Sequence, residues 1–176
     1  MTFTENWFSS WSCIRLARLA SVTAGVPGLV VEVGCWEGKS TVALANAVAP
    51  ATVVAIDTWA GSPGDPSEIL AAERDVYATF TENIRALTAG NVAPQRMGWR
   101  DWFEQNTSKI RFLHIDGPHT YDEVRDNIIA ALPFMSPGSI ICGDDAHHPP
   151  VNDAVFETLG DIPTTATLWW KRIGVT

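Results

Sequence analysis

Runs of almost continuous apolar residues recur along this chain, and each is followed by a segment with helical spacing. GLVVEVG (28–34) precedes KSTVALANAVA (39–49), and ATVVAIDTW (51–59) precedes the long segment PSEILAAERDVYATFTENIRALTAG (66–90), closed by Gly90. A weaker third strand, NVAPQRM, leads into the short helix DWFEQN. IRFLHID leads into the helix TYDEVRDNIIAALPFM, and GSIICGDD into PVNDAVFETLG, before a final strand TTATLWWKRI. Apolar strands alternating with helices require a mostly parallel sheet covered on both faces, because each strand must bury both of its sides. The expectation is therefore one doubly wound α/β domain of six or seven strands, Rossmann-like in layout. Residues 27–176 form its core, and a helix over 7–24, within an N-terminal segment 1–26, covers it.

The overall balance narrows the partners. The net charge of −8 leaves no basic footprint for nucleic acid or anionic membrane, so a small molecule is the expected partner. Three cysteines, Cys13, Cys35 and Cys142, lie far apart without metal-ligand spacing, as reduced thiols in a cytoplasmic protein would. No apolar run is long enough to cross a bilayer, and Glu5, Arg15 and Arg18 interrupt any secretory leader.

In a doubly wound sheet ligands bind at the carboxyl ends of the strands, so the residues just past each strand carry the functional information. Past the first strand stand Glu32, Gly34, Trp36, Glu37, Gly38 and Ser40, and past the second Asp57, Thr58, Trp59 and Ser62. Met97, Gly98, Trp99 and Arg100 follow the third, Asp116 and His119 the fourth, and Asp144, Asp145, His147 and His148 the fifth. Glycines at 34 and 38 permit close backbone approach, yet the loop lacks the middle glycine of a dinucleotide fingerprint. Acids at 32 and 37 disfavour a phosphate there, whereas Glu32 suits a cationic amino group. Asp57 is placed to accept the hydroxyls of a ribose, and Trp59 with Trp99 to bracket a purine. A nucleoside without a pyrophosphate is the ligand these residues describe.

Asp116, Asp144 and Asp145 end the fourth and fifth strands, which the crossover rule allows to be neighbours. Carboxylates converging in one cleft resist joint ionisation unless a cation joins them, and an oxygen-only ligand set suits magnesium or another hard divalent ion. His119, three residues beyond Asp116, is the expected proton acceptor for a substrate hydroxyl. His114, in mid-strand, reads as a core histidine satisfied locally.

The runs VEVGCWEGKST, VVAIDTWAG and IRFLHIDGPHTYDEVRDNIIAALPFMSPGSIICGDDA resemble the class I S-adenosylmethionine-dependent methyltransferases, within them the group that includes the macrolide sugar O-methyltransferases. The resemblance covers residues 29–146. It implies that Glu32 and Gly34 border the methionine moiety, that Asp57 holds the ribose, and that residues 98–100 approach the adenine. It also implies a divalent metal on Asp116, Asp144 and Asp145, with His119 as base, and an O-methyltransferase acting on a sugar, glycoside or similar hydroxylated small molecule. Trp36, Gly38, Ser40, Thr58, Trp59 and Asp116 complete the expected cofactor site. The competing readings are a nicotinamide-binding oxidoreductase, against which the missing glycine argues, and a noncatalytic nucleoside-binding relative, against which the intact Asp116, His119, Asp144 and Asp145 argue. Family members finish with an antiparallel hairpin, but only one strand is evident here after the last helix. An edge strand exposing Trp169 and Trp170 would favour pairing into a homodimer or higher oligomer.

Overall fold

The computed structural model describes residues 3–165 and 167–174, and its strands follow the apolar runs. In chain order these are α1 (Ser10–Ser21), β1 (Leu29–Val33), α2 (Lys39–Val48), β2 (Val53–Asp57), α3 (Pro66–Glu73) and α4 (Val76–Leu87). Then come β3 (Val92–Arg96), α5 (Trp99–Gln105), β4 (Ile110–Ile115), α6 (Tyr121–Ala131), a 3-10 turn at Leu132–Phe134, β5 (Met135–Gly143), α7 (Pro149–Leu159), β6 (Thr164–Thr165) and β7 (Leu168–Arg172). They form one seven-stranded sheet in the order β3-β2-β1-β4-β5-β7-β6. Five strands are parallel, and β7 runs antiparallel to both β5 and β6. Strand order reverses between β1 and β4, so the loops leaving them diverge and open a crevice.

Alternation along the strands makes two cores. Val30, Phe112 and Ile140 point to the layer of α1 and α2, where they meet Leu16 and Leu44. Val31, Leu113 and Ile141 point the other way, to Ile128 of α6, Val155 of α7 and Trp169. With helices packed on both faces, the strand ends are the part of the sheet a ligand can reach.

Four expectations need correction. The segment 66–90 is two helices, because Asp75 takes an N-cap role, accepting from the Ala78 amide at 2.9 Å and breaking the helix at Arg74. The leading helix begins only at Ser10, capped by Ser9, so Trp7 lies outside it and not on one row with Trp11. The final strand is the hairpin β6–β7, giving the full seven strands; the intervening Ala166 lies outside the described residues. Trp169 is only 1% exposed and Trp170 half-buried, so the exposed apolar strand on which oligomer formation was expected does not exist. The edge is instead the two-residue β6, too short to template pairing.

Gly34 fixes how the crevice closes. It adopts φ +83, and a Cβ built there would lie 2.0 Å from the Asp116 carbonyl oxygen. The close approach inferred from sequence is thus to the Asp116 backbone. Gly34→Ala is expected to cost at least about 3 kcal/mol, since neither backbone has room to retreat and left-handed strain adds to the clash. A thermal melt checks this; an unchanged midpoint would contradict the packing.

Candidate active site

Backbone hydrogen bonds carry the strand ladder past its ends and set the rim residues side by side. Gly34 N donates to Ile56 O at 2.9 Å, Asp116 N to Val33 O at 2.8 Å, and Asp144 N to Ile115 O at 3.2 Å. Three non-glycine residues, Trp36, Trp59 and Asp145, adopt positive φ of 45, 54 and 58, and all three lie on this rim. Strain of this kind costs on the order of 1–3 kcal/mol per residue and gathers at functional sites.

Asp57 organises the nucleoside side. Its Oδ2 accepts from the amides of Cys35 at 2.7 Å and Trp36 at 2.9 Å, and its Oδ1 from Trp59 N at 2.7 Å. Burial raises its pKa, and these amides work against that rise. Three donors leave part of the carboxylate's acceptor capacity, chiefly on Oδ1, for a ligand hydroxyl. Gly38, at φ 87, opens α2 without a side-chain cap, and Ser40 behind it is buried. Thr58 is exposed, its hydroxyl accepting from Ala60 N at 3.3 Å.

Glu32 is not in the crevice. The pleat turns it, like Val30, toward the α1 and α2 layer, where it is fully buried. Its Oε1 lies 3.0 Å from His114 Nδ1 and its Oε2 accepts from the Thr41 hydroxyl, as a carboxylate in that environment requires. His114 is likewise fully buried; burial works against its charged form, but Glu32 outweighs this and raises its pKa. The lone core histidine expected from sequence is therefore half of a buried pair, with Nε2 left without a partner. The signal was available: Glu32 and His114 are polar interruptions in two strands that align in register.

Nor do the tryptophans bracket an open slot. Trp59 packs on Tyr77 at 4.6 Å and Phe80 at 4.8 Å and donates to Trp36 O at 2.8 Å. Trp99, opening α5 after Gly98, belongs to the opposite core, with Arg100 over its ring at 4.2 Å and its indole donating to Glu123 at 3.0 Å. Trp36 is the half-buried indole on the rim, flanked by Trp7 at 5.4 Å and the Arg74 guanidinium at 5.8 Å. Sequence reasoning missed Trp7 and Arg74, one read as helix and the other as mid-helix.

The acidic end is tighter. His119 Nε2 lies 3.0 Å from Asp145 Oδ2 and 3.9 Å from Asp116 Oδ1. Ligand atoms of Asp116, His119 and Asp145 all fall within 4.8 Å of one another. Held between Asp116 and Asp145, the imidazole is pushed up to about 10, so at neutral pH it carries the positive charge. The adjacent aspartates diverge: His119 lowers the Asp145 pKa, whereas burial and then the Asp116 charge raise that of Asp144. Left-handed Asp145 turns its side chain to His119, and Asp144 points inward with a buried Oδ1 that has no partner. The expected trio of Asp116, Asp144 and Asp145 is thus present at the strand ends, with His119 rather than Asp144 in the closest group. His147 is exposed, 3.9 Å from Asp145 Oδ1, and the His148 ring lies 6.2 Å from that of His119.

With this geometry in view, relatives can be compared. A family described as a methyltransferase domain matches residues 31–146, which run from β1 to just past Asp145. The chain belongs to the class I S-adenosylmethionine-dependent methyltransferases. Among known proteins, this methyltransferase is 25% identical over 156 residues to the 8-demethyl-8-(2,3-dimethoxy-alpha-L-rhamnosyl)-tetracenomycin-C 4'-O-methyltransferase of Streptomyces olivaceus. That match covers 77% of this chain but only 59% of the Streptomyces enzyme. The O-methyltransferase NovP superposes with a TM-score of 0.70 at 21% identity, covering 91% of this chain and 78% of NovP. The calicheamicin methyltransferase CalS11 gives 0.67 at 17% identity, covering 94% and 79%. Cofactor-bound Rv0187 from MTB gives 0.71 at 17% identity, covering 96% and 82%. These structures establish the shared fold of the methyltransferase. Among the described residues no helix is long and apolar enough to cross a membrane.

Proposed function

We propose that this methyltransferase moves the methyl group of S-adenosylmethionine to a hydroxyl of a small molecule, a sugar or glycoside being the acceptor class that fits best. The observation that carries the reading is the layout of the rim: Asp57 opposite the first βα loop, and the Asp116, His119 and Asp145 group across the strand-order reversal. Family membership and the Streptomyces relative, whose name specifies a rhamnosyl 4'-hydroxyl, support methyl transfer to sugar oxygen.

Each part answers a chemical need. Asp57 accepts ribose hydroxyls through the capacity its three amides leave, and the left-handed turns at Trp36 and Trp59 keep those amides aimed at it. Methyl transfer needs the acceptor oxygen in line with the sulfonium and its proton removed as the bond forms, and His119 is the residue we assign to take that proton at Nε2. Between Asp116 and Asp145 His119 carries the positive charge at neutral pH, so a second cation beside those carboxylates is what would free it to accept a proton there.

A divalent ion fits that requirement. Asp116 and Asp145 face one another across His119, and the buried Oδ1 of Asp144 has no hydrogen-bond partner, as an oxygen available to a cation would. Asp116, Asp144 and Asp145 would hold the ion, magnesium by the chemistry of an all-carboxylate set. Bound there, it would supply Lewis acidity to lower the pKa of an acceptor hydroxyl. A methyl-donor consumption screen over sugars, glycosides and phenols, with and without magnesium, tests the reading. Turnover on a glycoside that requires the ion is the expected result; turnover confined to phenols, or none on any hydroxyl, would sink the acceptor assignment.

A further inference from the structure

The contacts of residues 4–7 converge on the first βα loop. Glu37 in that loop is only 2% exposed, yet it is a carboxylate and must be satisfied where it sits. Thr4 does most of this: its amide donates to Glu37 Oε2 and its hydroxyl to Glu37 Oε1, each at 2.6 Å. Arg74 closes the group, its Nη2 lying 3.2 Å from both Glu37 Oε1 and Glu5 Oε1, and its Nη1 donating to the Thr4 hydroxyl. Arg74 is available because Asp75 starts a new helix and leaves the preceding residue extended, φ −147 and ψ 154. Next along the chain, Lys39 Nζ donates to Asn6 Oδ1 at 2.5 Å, and the Trp7 ring lies against Trp36 at 5.4 Å.

Trp36 joins these contacts to the cofactor side. Its ring meets Trp7 and Arg74, while its amide donates to Asp57 and its carbonyl accepts from Trp59 Nε1. Its φ of 45 is strained for a bulky residue and persists only under outside restraint. The N-terminal segment supplies restraint from one side and Asp57 from the other.

We propose that residues 4–7 are a strap, anchored on Glu37 and Arg74, that locks the first βα loop in its nucleoside-binding shape and sets how fast the cofactor leaves. The inference rests on the cofactor reading above. Glu37, Arg74 and Trp7 are positioning residues: they act through Trp36 on the amides that Asp57 orders. Release of a nucleoside from Asp57 then requires the strap to lift, a step separate from the proton chemistry at His119.

Stopped-flow displacement of S-adenosylhomocysteine from the full chain is the test. Trp7→Ala and Arg74→Ala are each expected to raise the dissociation rate about tenfold or more without lowering the association rate, a split that general damage to the fold would not give. Trp7 is exposed, so its variant keeps the test open if Arg74→Ala, which leaves Glu37 buried without its cation, fails to fold. Release within about twofold of wild type in Trp7→Ala, with wild type binding normally, overturns the strap alone. A wild-type chain that binds no S-adenosylhomocysteine overturns the cofactor reading and the strap with it.

Discussion

Replacing His119 with alanine should lower methyl transfer by roughly 10²- to 10⁴-fold while leaving S-adenosylhomocysteine affinity within about twofold of wild type. The prediction follows from position. His119 stands at the acidic end of the crevice, 3.0 Å from Asp145 Oδ2, whereas the Asp57 carboxylate and the amides it orders lie at the ends of β1 and β2. Among the described residues, none of the contacts that order Asp57 passes through the imidazole, so its loss removes a proton acceptor and spares the cofactor. Titration calorimetry beside a turnover assay measures both quantities. Loss of affinity and turnover together would make His119 a structural residue of the loop after β4, and unchanged turnover would remove it from the chemistry.

The second large effect concerns metal and pH. With Asp116 and Asp145 unbalanced by any other cation, His119 is pushed up to about 10, and at pH 7.5 its neutral form is scarcer than its protonated form by roughly two to three orders of magnitude. Chelation of divalent ions at pH 7.5 is therefore expected to lower turnover by roughly that factor, with activity returning only as the pH climbs toward about 10. Magnesium should move the acid limb of the profile to lower pH. A pH profile measured in chelator and again in magnesium decides it; coincident profiles would contradict both the ion and the charge balance. Stability carries the matching sign. The histidine pKa is raised on folding, so its contribution is fully present below its ordinary value near 6.5 and is lost as pH rises through about 10. The chelated protein should melt at progressively lower temperature across that alkaline window.

Much of this site is visible in the sequence because a parallel sheet makes a strand's end and its loop coincide. Asp57, Asp116, Asp144 and Asp145 each follow an apolar run directly, so their place on the rim needs no tertiary information. Direction is harder. Glu32 stands one residue short of the end of β1, and the pleat, rather than its proximity to the loop, decides that it meets His114 and not the crevice. Trp59 and Trp99 illustrate the same limit: adjacent loops do not make adjacent faces, and each indole serves a different core.

Local breaks were the other obstacle. Both halves of 66–90 are good helix formers, and only Asp75 marks the interruption that brings Arg74 to Glu37. TTATLWWKRI carries no glycine or asparagine to announce a turn, so its two strands read as one, and with them the burial of Trp169 was lost. Residues 4–7 have no periodic signal at all. The role proposed for them rests on side chains more than thirty residues away, such as Glu37 and Lys39, which no local pattern connects to them.

The nucleoside site proposed on Asp57, without a pyrophosphate cradle, is tested most directly by one titration: calorimetry of the metal-free chain with S-adenosylhomocysteine and, separately, with NAD. Binding of S-adenosylhomocysteine in the micromolar range, about −8 kcal/mol, with no heat from NAD and at least a tenfold loss in Asp57→Ala, is the expected result. Binding of NAD in its place, or S-adenosylhomocysteine affinity untouched by Asp57→Ala, would contradict it.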